Sequence, residues 1–298
     1  MNPRRLKDLV ASKFMFLTTI LSSLIAFIIA FALFQRSTLI LTTQPLSELL
    51  LSSSWRPWAG EFGFYPFIAG TLWVTALAMV LSIPPSLLMS IYLAEYAPIK
   101  VRGIAKPMVD LLAGIPSVVF GLWGVLLVVP LIRDYVAPLV GVTTTGYSVL
   151  TGGVVLSIMV SPIIISISEG VIRAVPQHVR EASMALGATK WQTVKHAVTR
   201  SAFPGIIAAV MLGFGRAFGE TMAVLMVVGN VSKAPTALFD PAYPLPALIA
   251  NNYGEMMSIP LYDSALMLAA LFLLLIVLLF SAAAGVLLAR IKRGYAIG

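Results

Sequence analysis

The sequence predicts an all-α integral membrane protein with six transmembrane helices. Of its 298 residues, 59% are hydrophobic and only 11% are charged, and the mean hydropathy is +0.96. A soluble chain needs about twice that charged fraction to solvate its surface. The apolar residues form six runs that are long enough to cross a hydrocarbon core, which takes about 20 helical residues.

The six runs set the boundaries of the predicted spans. These are Phe14–Gln35, Phe67–Leu93, Leu111–Ile132, Ser148–Ser168, Phe203–Val228 and Ser264–Ala289. The first run follows a basic segment that resembles the start of a signal peptide. It is longer than a signal core and has no clear small-x-small cleavage site, so we interpret it as a retained helix. We therefore predict an N-terminal region, residues 1–66, with helix 1 and the first periplasmic loop, and a core of helices 2 to 6, residues 67–298.

The basic residues predict the orientation of the chain. Of the 20 lysines and arginines, 15 lie in the N-terminal segment, in the loops after the second and fourth spans, or in the C-terminal segment. The other five are Arg36, Arg56, Arg133, Lys233 and Arg216. Lysine and arginine are enriched in short cytoplasmic loops of membrane proteins. Both termini are therefore predicted to be cytoplasmic.

Prolines occur within three of the predicted spans. Pro84–Pro85 fall in the second, Pro116 in the third and Pro162 in the fourth. Each proline removes a backbone donor and bends or breaks a helix. We expect kinks in these three helices, which favour a bundle around a cavity.

The composition argues against several kinds of site and partner. The chain has no cysteine, which excludes disulfides and thiolate metal ligands. His178 and His196 lack ligand spacing, so no metal site is predicted. The basic clusters have no interleaved aromatics, so nucleic acid is not an expected partner. No G-x-x-x-x-G-K-[ST] loop occurs, so we predict no ATPase site, no other catalytic site and no cofactor in this chain.

The longest predicted cytoplasmic segment, residues 171–204, has the pattern of two short helices joined at a glycine. Pro176 suits a first helical turn, Gly187 a helix end and Thr189 a cap for the second helix. The first helix carries an apolar stripe of Val179, Ala182, Ala185 and Leu186. The stripe fits a helix that docks on a protein, and it also fits an amphipathic helix on lipid headgroups, where Trp191 would lie at the interface.

The run EASMALGATKWQTVKHAVTRSAFPG, residues 181–205, resembles the EAA loop of ABC importer permeases. The similarity includes the glycine six places after the glutamate and the final Pro204–Gly205. The chain departs from the family at Thr199–Arg200, where a Leu-Pro pair is common. The resemblance implies a type I ABC importer permease fold. It also implies that the loop couples to an ATPase through Glu181, Ala182, Ser183, Gly187, Lys190 and Trp191.

Three other stretches, GRAFGETMAVLMVVGN, LLAGIPSVVFGLWG and IYLAEYAP, are similar to the C-type membrane subunit of phosphate-specific (Pst) importers. This resemblance implies a permease for inorganic phosphate in a bacterial or archaeal cytoplasmic membrane. The implied partners are a second, A-type permease, two cytoplasmic ATPase subunits that bind ATP and Mg, and an extracytoplasmic phosphate-binding protein. Another oxyanion, sulfate or phosphonate, remains an alternative substrate. A proton-coupled secondary anion transporter is a further alternative, with Glu220 as its proton carrier.

Arg216 and Glu220 are charges inside the fifth predicted span. An arginine at the bilayer centre costs about 2.5–3.5 kcal/mol, so it should face protein or water. Four residues apart on one helix, the two side chains are placed to neutralise each other as a structural ion pair. Nearby glycines at 213, 215 and 219 predict open space around them.

We expect instead that the two charges bind substrate. Arg216 offers a planar fork of donors to phosphate oxygens. Glu220 can accept a proton from a P–OH group, which phosphate has and sulfate lacks, so the pair would select phosphate. Ser117, after Pro116, is a weaker candidate to line the path, because a lone hydroxyl there commonly bonds the backbone.

Overall fold

Six helices within the described part of the chain are long and apolar enough to cross a membrane. The structure is a computed structural model, and it describes residues 3–254 and 258–295. The spans are Ala11–Thr43, Tyr65–Tyr96, Ser117–Leu139, Val149–Arg173, Lys190–Gly219 and Pro260–Arg290. The predicted number of spans is confirmed. Most helices extend beyond the predicted apolar runs, because helical hydrogen bonding continues into the polar flanks.

The chain order of the elements is simple. The first region holds α1 (Pro3–Thr43), α2 (Leu46–Leu51) and a hairpin of β1 (Trp55–Arg56) and β2 (Glu61–Phe62). Next come α3 (Tyr65–Ile91), extended by a π-helical turn at Tyr92–Tyr96, and α4 (Ile99–Gly114). The third span is α5 (Ser117–Trp123), α6 (Val129–Leu131) and α7 (Ala137–Leu139), joined by π-helical turns at Gly124–Val128 and Ile132–Val136.

The second half begins with α8 (Val149–Arg173), followed by α9 (Gln177–Ala185) and α10 (Lys190–Gln192). A π-helical turn at Thr193–Val198 leads into α11 (Thr199–Gly219), and α12 (Met222–Val227) follows it. The chain then forms α13 (Leu245–Asn252) and α14 (Pro260–Tyr295). The element between the second and third spans, α4, is a separate helix that the sequence analysis did not predict.

The predicted start of the third span, at Leu111, is wrong. Leu111–Gly114 are the last turn of α4, the backbone is extended at Ile115 and Pro116, and the span begins at Ser117. Proline disfavours the α conformation in the residue before it, and here Ile115 has φ −67° and ψ 131°. The break at Pro116 is therefore a true helix boundary, as the proline pattern predicts.

The other prolines do not end their helices. Pro84 and Pro85 lie inside α3, and Pro162 lies inside α8, and both helices are continuous. A proline inside a helix removes one backbone donor, and neighbouring helices and hydroxyl groups compensate for this within membranes. As a result α3 is an unbroken 27-residue helix.

The centre of the bundle is formed by α3 and α8 with α11, α12 and α5 around them. Glycines permit the close approach: a Cβ at Gly152 would contact Val228 and Val74, and one at Gly213 would contact Ile164. The buried core here is aliphatic, with Val155, Leu156, Met159, Val160, Val224 and Val227 among its members. This packing fixes α11 and α12 relative to the two central helices.

A second core lies at the end of the bundle where the β-hairpin is. Trp55 packs edge-on against Phe62, Phe64, Phe67 and Tyr262, with ring centroids 4.7–5.9 Å apart. The first helix, α1, joins the bundle at this end, where the Ser264 hydroxyl accepts the Ile40 N–H and donates to the Arg36 carbonyl. The aromatic cluster therefore anchors the N-terminal region to α14.

Candidate functional site

The fifth predicted span is broken at the position of its charged residues. Helix α11 ends at Gly219, Glu220 is extended with φ −72° and ψ 123°, and α12 begins at Met222. The continuous helix predicted for Phe203–Val228 is therefore wrong. The preceding Gly219, which has no side chain to pack and a low helix propensity, favours an end at this point.

Glu220 turns towards the start of α12 instead of back along α11. Its Oε1 accepts a hydrogen bond from the Ala223 N–H at 3.2 Å. The first N–H groups of a helix lack intrahelical partners, and the helix dipole favours negative charge there. Glu220 thus caps α12 with a carboxylate.

Arg216 lies in the last turn of α11, where the dipole favours a cation. Its Nε is buried and has no hydrogen-bond partner among the described residues. Within the same part of the chain, neither Arg216 nor Glu220 forms an ion pair within 4.0 Å. The ion pair considered from the spacing is not formed, because the helix ends between the two residues. Each charge is stabilised by its own helix end.

The three glycines near the charges have different surroundings. Gly213 packs against Val160 and Ile164 of α8, and is a helix-packing position. Gly215 borders an apolar groove of about 370 Å³ between α11 and α14. A Cβ at Gly219 would meet nothing within 4 Å. A Cβ at Gly215 would likewise meet nothing within 4 Å, so two of the three glycines leave open space, and Gly219 is the one next to Glu220 in the sequence.

A small cavity lies on the other side of Glu220. Its volume is about 10 Å³, room for about one water, and Thr71, Thr75, Pro244 and Pro246 contribute to its lining. A phosphate ion does not fit in this space.

Ser117 lies at the same level of the bundle as the helix break. A side chain at Gly121 would contact Ala223 and Met226, and one at Gly124 would contact Val227. A later residue of α5 contacts a later residue of α12, so the two helices lie side by side and run in the same direction. Ser117 is the first residue of α5, so it lies at the end of this helix pair where α12 also begins, two residues after Glu220.

The segment between α8 and α11 has the predicted helix, glycine and helix. Gly187 has φ +84°, a left-handed conformation that favours glycine, and its N–H donates to the Met184 carbonyl at 2.9 Å. Thr189 forms a capping box with Gln192 at the start of α10. The predicted helix end and cap are confirmed.

Most of the α9 surface is open. Val179 is half-buried, whereas Ala182, Ala185 and Leu186 are exposed, so the predicted apolar stripe is not covered by this chain. Glu181, Lys190 and Trp191 are also exposed. Ser183 faces its own chain, since its hydroxyl lies 3.0 Å from that of Thr193. The remaining positions form a surface that is available to a partner.

The arrangement of six spans, a broken fifth span and a helical loop before it matches a known group of proteins. Residues 86–293 match the family described as "Binding-protein-dependent transport system inner membrane component". The chain belongs to this family of transport permeases. Its six spans place it in the bacterial or archaeal inner membrane, as the family description and the relatives indicate.

Several relatives are similar over most of the permease. "Phosphate transport system permease protein PstC" of Mesorhizobium japonicum is 36% identical over 277 residues, 88% of this chain and 84% of the relative. "Probable ABC transporter permease protein YqgH" of Bacillus subtilis is 40% identical over 210 residues, 70% of this chain and 66% of the relative. A probable PstC of Methanocaldococcus jannaschii is 32% identical over 241 residues, 74% and 76% of the two chains.

Solved ABC importers share the fold of the permease. A chain of a bacterial ABC transporter involved in alginate import superimposes with a TM-score of 0.63, covering 96% of this chain and 99% of that one, at 15% identity. A chain of the MetNI methionine ABC transporter in an inward-facing conformation gives a TM-score of 0.56, covering 80% and 99%, at 17% identity. The permease therefore has the predicted type I ABC importer permease fold.

Sequence reasoning missed the charged contacts at the ends of α3 and α8. Glu95 binds Arg180, with Oε1 2.6 Å from Nη2. Glu169 binds Lys106 at 3.0 Å and Arg173 at 3.3 Å. Arg180 and Lys106 lie 85 and 63 residues from their carboxylates in the sequence, so spacing gave no signal for these two pairs, whereas Arg173 follows Glu169 by four residues on α8.

Proposed function

We propose that the permease carries inorganic phosphate across the cytoplasmic membrane as a subunit of an ATP-driven importer. The observation that carries this proposal is the guanidinium of Arg216, a cation within a membrane span whose Nε has no partner among the described residues. Buried donors are usually satisfied, and exceptions require an explanation. An oxyanion that passes the helix break would accept this donor. The relatives named PstC support phosphate as that oxyanion.

Glu220 would give the proposed site its preference for phosphate over sulfate. One carboxylate oxygen accepts the Ala223 N–H, and no described residue bonds the other. Phosphate at neutral pH carries at least one P–OH group, which can donate to this oxygen. Sulfate has no such proton and would be repelled, so the site rejects it by an unpaired charge. Ser117, at the same level of the bundle, adds a hydroxyl to the proposed path.

The permease works with partners that bind ATP. We infer that the face carrying α9 and α10 is cytoplasmic, because the basic residues gather there. The exposed surface of Glu181, Ala182, Gly187, Lys190 and Trp191 would contact an ATPase subunit, which binds ATP and Mg. Ser183 would hold the contact surface in shape. A second, A-type permease, two ATPase subunits and an extracytoplasmic phosphate-binding protein complete the proposed importer.

Reconstitution tests this function directly. Proteoliposomes with the permease, the A-type permease and the ATPase subunits should accumulate phosphate only when ATP and the binding protein are supplied. The same vesicles without the ATPase should be inert. Uptake by the permease alone, driven by a proton gradient, would instead establish a secondary transporter. ATP-dependent uptake of sulfate or phosphonate in preference to phosphate would reassign the substrate.

A further inference from the structure

The π-helical turn at the end of α3 receives the main polar contact of α9. Arg180 of α9 donates to Glu95 Oε1 from Nη2 at 2.6 Å and from Nε at 3.1 Å. Its remaining donors reach the carbonyl oxygens of Ile172, at 3.0 Å, and Val175. The side chains of Arg180 and Glu95 are 14% and 8% exposed. One arginine therefore joins α9, the end of α8 and the end of α3.

Besides Arg180, α9 is attached to the bundle by a limited apolar contact and by its Ser183 hydroxyl, which lies 3.0 Å from that of Thr193. None of its nine residues is buried, and Val179 is its half-buried apolar contact. A polar cavity of about 580 Å³, lined in part by Glu95, Arg180 and Met184, separates α9 from α3. Beside this cavity the ion pair joins the two helices, and Val179 of α9 and Ile91 of α3 pack against the same apolar cluster, which includes Ile172 and Val198.

Two more basic side chains hold the same turn. The Lys190 ammonium of α10 lies 4.7 Å from the centre of the Tyr96 ring, the residue next to Glu95. Arg102 of α4 donates to the carbonyl oxygens of Leu93 and Ala94 at 2.8 and 2.9 Å. π-helical turns are frequent at functional positions of helices. This one is bound by two segments that follow it in the sequence, α4 and α10.

The other end of α3 reaches the helix break. Thr71 and Thr75 of α3 line the small cavity that also contains Glu220. The helix is continuous between that cavity and its π-helical turn, and 20 residues at 1.5 Å each span about 30 Å. One continuous helix, which contains Pro84 and Pro85, and its π-helical turn therefore connect Glu95 with the surroundings of Glu220.

We propose that the Glu95–Arg180 ion pair transmits movement of α9 to α3, and through α3 to the helix break. Glu95 and Arg180 are thus positioning residues for coupling. Buried ion pairs add little net stability compared with apolar contacts, which fits a role in geometry. The inference rests on the proposed function in one respect, the contact of α9 with the ATPase.

The coupling ratio tests the proposal in the complete importer in proteoliposomes. Glu95→Gln keeps the size of the side chain and removes its charge, and should lower phosphate uptake per ATP hydrolysed about tenfold while hydrolysis continues. Arg180→Lys keeps the positive charge and loses the paired donors of the guanidinium. It should give an intermediate value of phosphate uptake per ATP hydrolysed. The matched control is Glu169→Gln, which removes another buried carboxylate that has no contact with α9. An unchanged ratio in Glu95→Gln, or an equal loss in Glu169→Gln, would overturn the proposal.

A distance measurement keeps the test valid if a variant folds poorly. The chain has no cysteine, so spin labels can be placed by His178→Cys on α9 and Leu88→Cys on α3, both exposed positions. With the ion pair intact, the distance between the labels should stay the same when ATP binds, because the two helices move together. A change of several ångströms would refute the link. Absence of phosphate uptake by the unmodified importer would count against the proposed function and leave this distance result to be judged separately.

Discussion

Charged side chains occur in two regions of the permease, and the chain neutralises them in different ways. Where α3 and α8 end near α9, the buried carboxylates of Glu95 and Glu169 bind basic side chains of the same chain. In the fifth span, Arg216 and Glu220 form no ion pair within the described residues. Helix ends replace the missing partners there. Side-chain pairs join the elements of the first region, and helix ends take the place of such pairs in the second.

The difference follows from the backbone. A residue four places along a helix is a natural partner, but the end of α11 at Gly219 removes that geometry. Glu220 then bonds the first turn of α12, and Arg216 remains in the last turn of α11. Helix ends supply fixed partial charges that do not use up the donors of a guanidinium. The break thereby places two opposite charges near each other without allowing them to cancel.

Removing one arginine from each region should produce the largest contrast in stability. Arg180→Met strands the buried Glu95 and should lower the free energy of unfolding by about 3–5 kcal/mol. Arg216→Met strands no carboxylate and should change it by less than about 1 kcal/mol, since it breaks no ion pair. Thermal unfolding of the purified permease in detergent compares the two. Equal destabilisation would show that Arg216 has a structural partner after all.

A bulky residue at Gly187 should disturb the segment between α8 and α11 while leaving the charged residues of both regions in place. Gly187 has φ +84°, where a side chain costs about 1–2 kcal/mol. Gly187→Leu should therefore change the angle between α9 and α10 and uncouple ATP hydrolysis from uptake, while the protein still inserts. Phosphate uptake and ATP hydrolysis are measured in the same proteoliposomes. Gly103→Leu in α4, where a Cβ also meets nothing within 4 Å but φ is not positive, is the matched control. Normal uptake by Gly187→Leu would exclude a role for the loop geometry.

The selectivity of the second region should depend on the charge of Glu220. Glu220→Gln keeps the size of the side chain and an acceptor for the Ala223 N–H, and removes the repulsion of sulfate. The preference for phosphate over sulfate should fall several-fold, by about 1 kcal/mol of discrimination. Competition of sulfate with labelled phosphate uptake measures this change. Unchanged discrimination would refute the role of Glu220 in sensing the substrate proton.

The smallest effect is expected in the loop after α12, far from both charged regions. The Thr236 N–H and hydroxyl and the Ala237 N–H bond the Asp240 carboxylate, and they hold its pKa below the ordinary value of 3.8. Because the folded pKa is lowered, this stabilisation is present above pH 3.8 and is lost as pH falls through the folded value. Asp240→Asn should speed amide exchange at Thr236 and Ala237 at pH 7. The same exchange rates in both proteins would show that the bonds do not order the loop.

The sequence predicts the fold well because its main signals are local. The length of each apolar run predicts a span, and Gly187 and Thr189 mark helix ends by their own backbone and hydroxyl chemistry. Pro116 marks a boundary for the same reason. Pro84 and Pro162 do not mark helix boundaries, because neighbouring helices compensate for the missing backbone donor. That compensation is a tertiary effect.

The site is harder to predict than the fold. The sequence identifies Arg216 and Glu220 as unusual charges, but their spacing implies a continuous helix and an ion pair that do not form. The Glu95–Arg180 contact joins residues 85 positions apart, so no periodicity contains it. The contact exists only where the ends of α3 and α8 pack together. The residues that carry charge are visible in the sequence, whereas their partners depend on the tertiary structure.

Phosphate uptake by the double variant Arg216→Met with Glu220→Leu tests the central claim most directly. Both new side chains are apolar and of similar size, so they fill the space and leave no stranded charge. The variant loses one cap of α12, worth about 1 kcal/mol, and should still be folded and inserted. We predict that the importer containing it hydrolyses ATP but accumulates no phosphate above the background of empty vesicles. Uptake close to that of the unmodified importer would contradict the account, because it would show that the two charges serve structure alone.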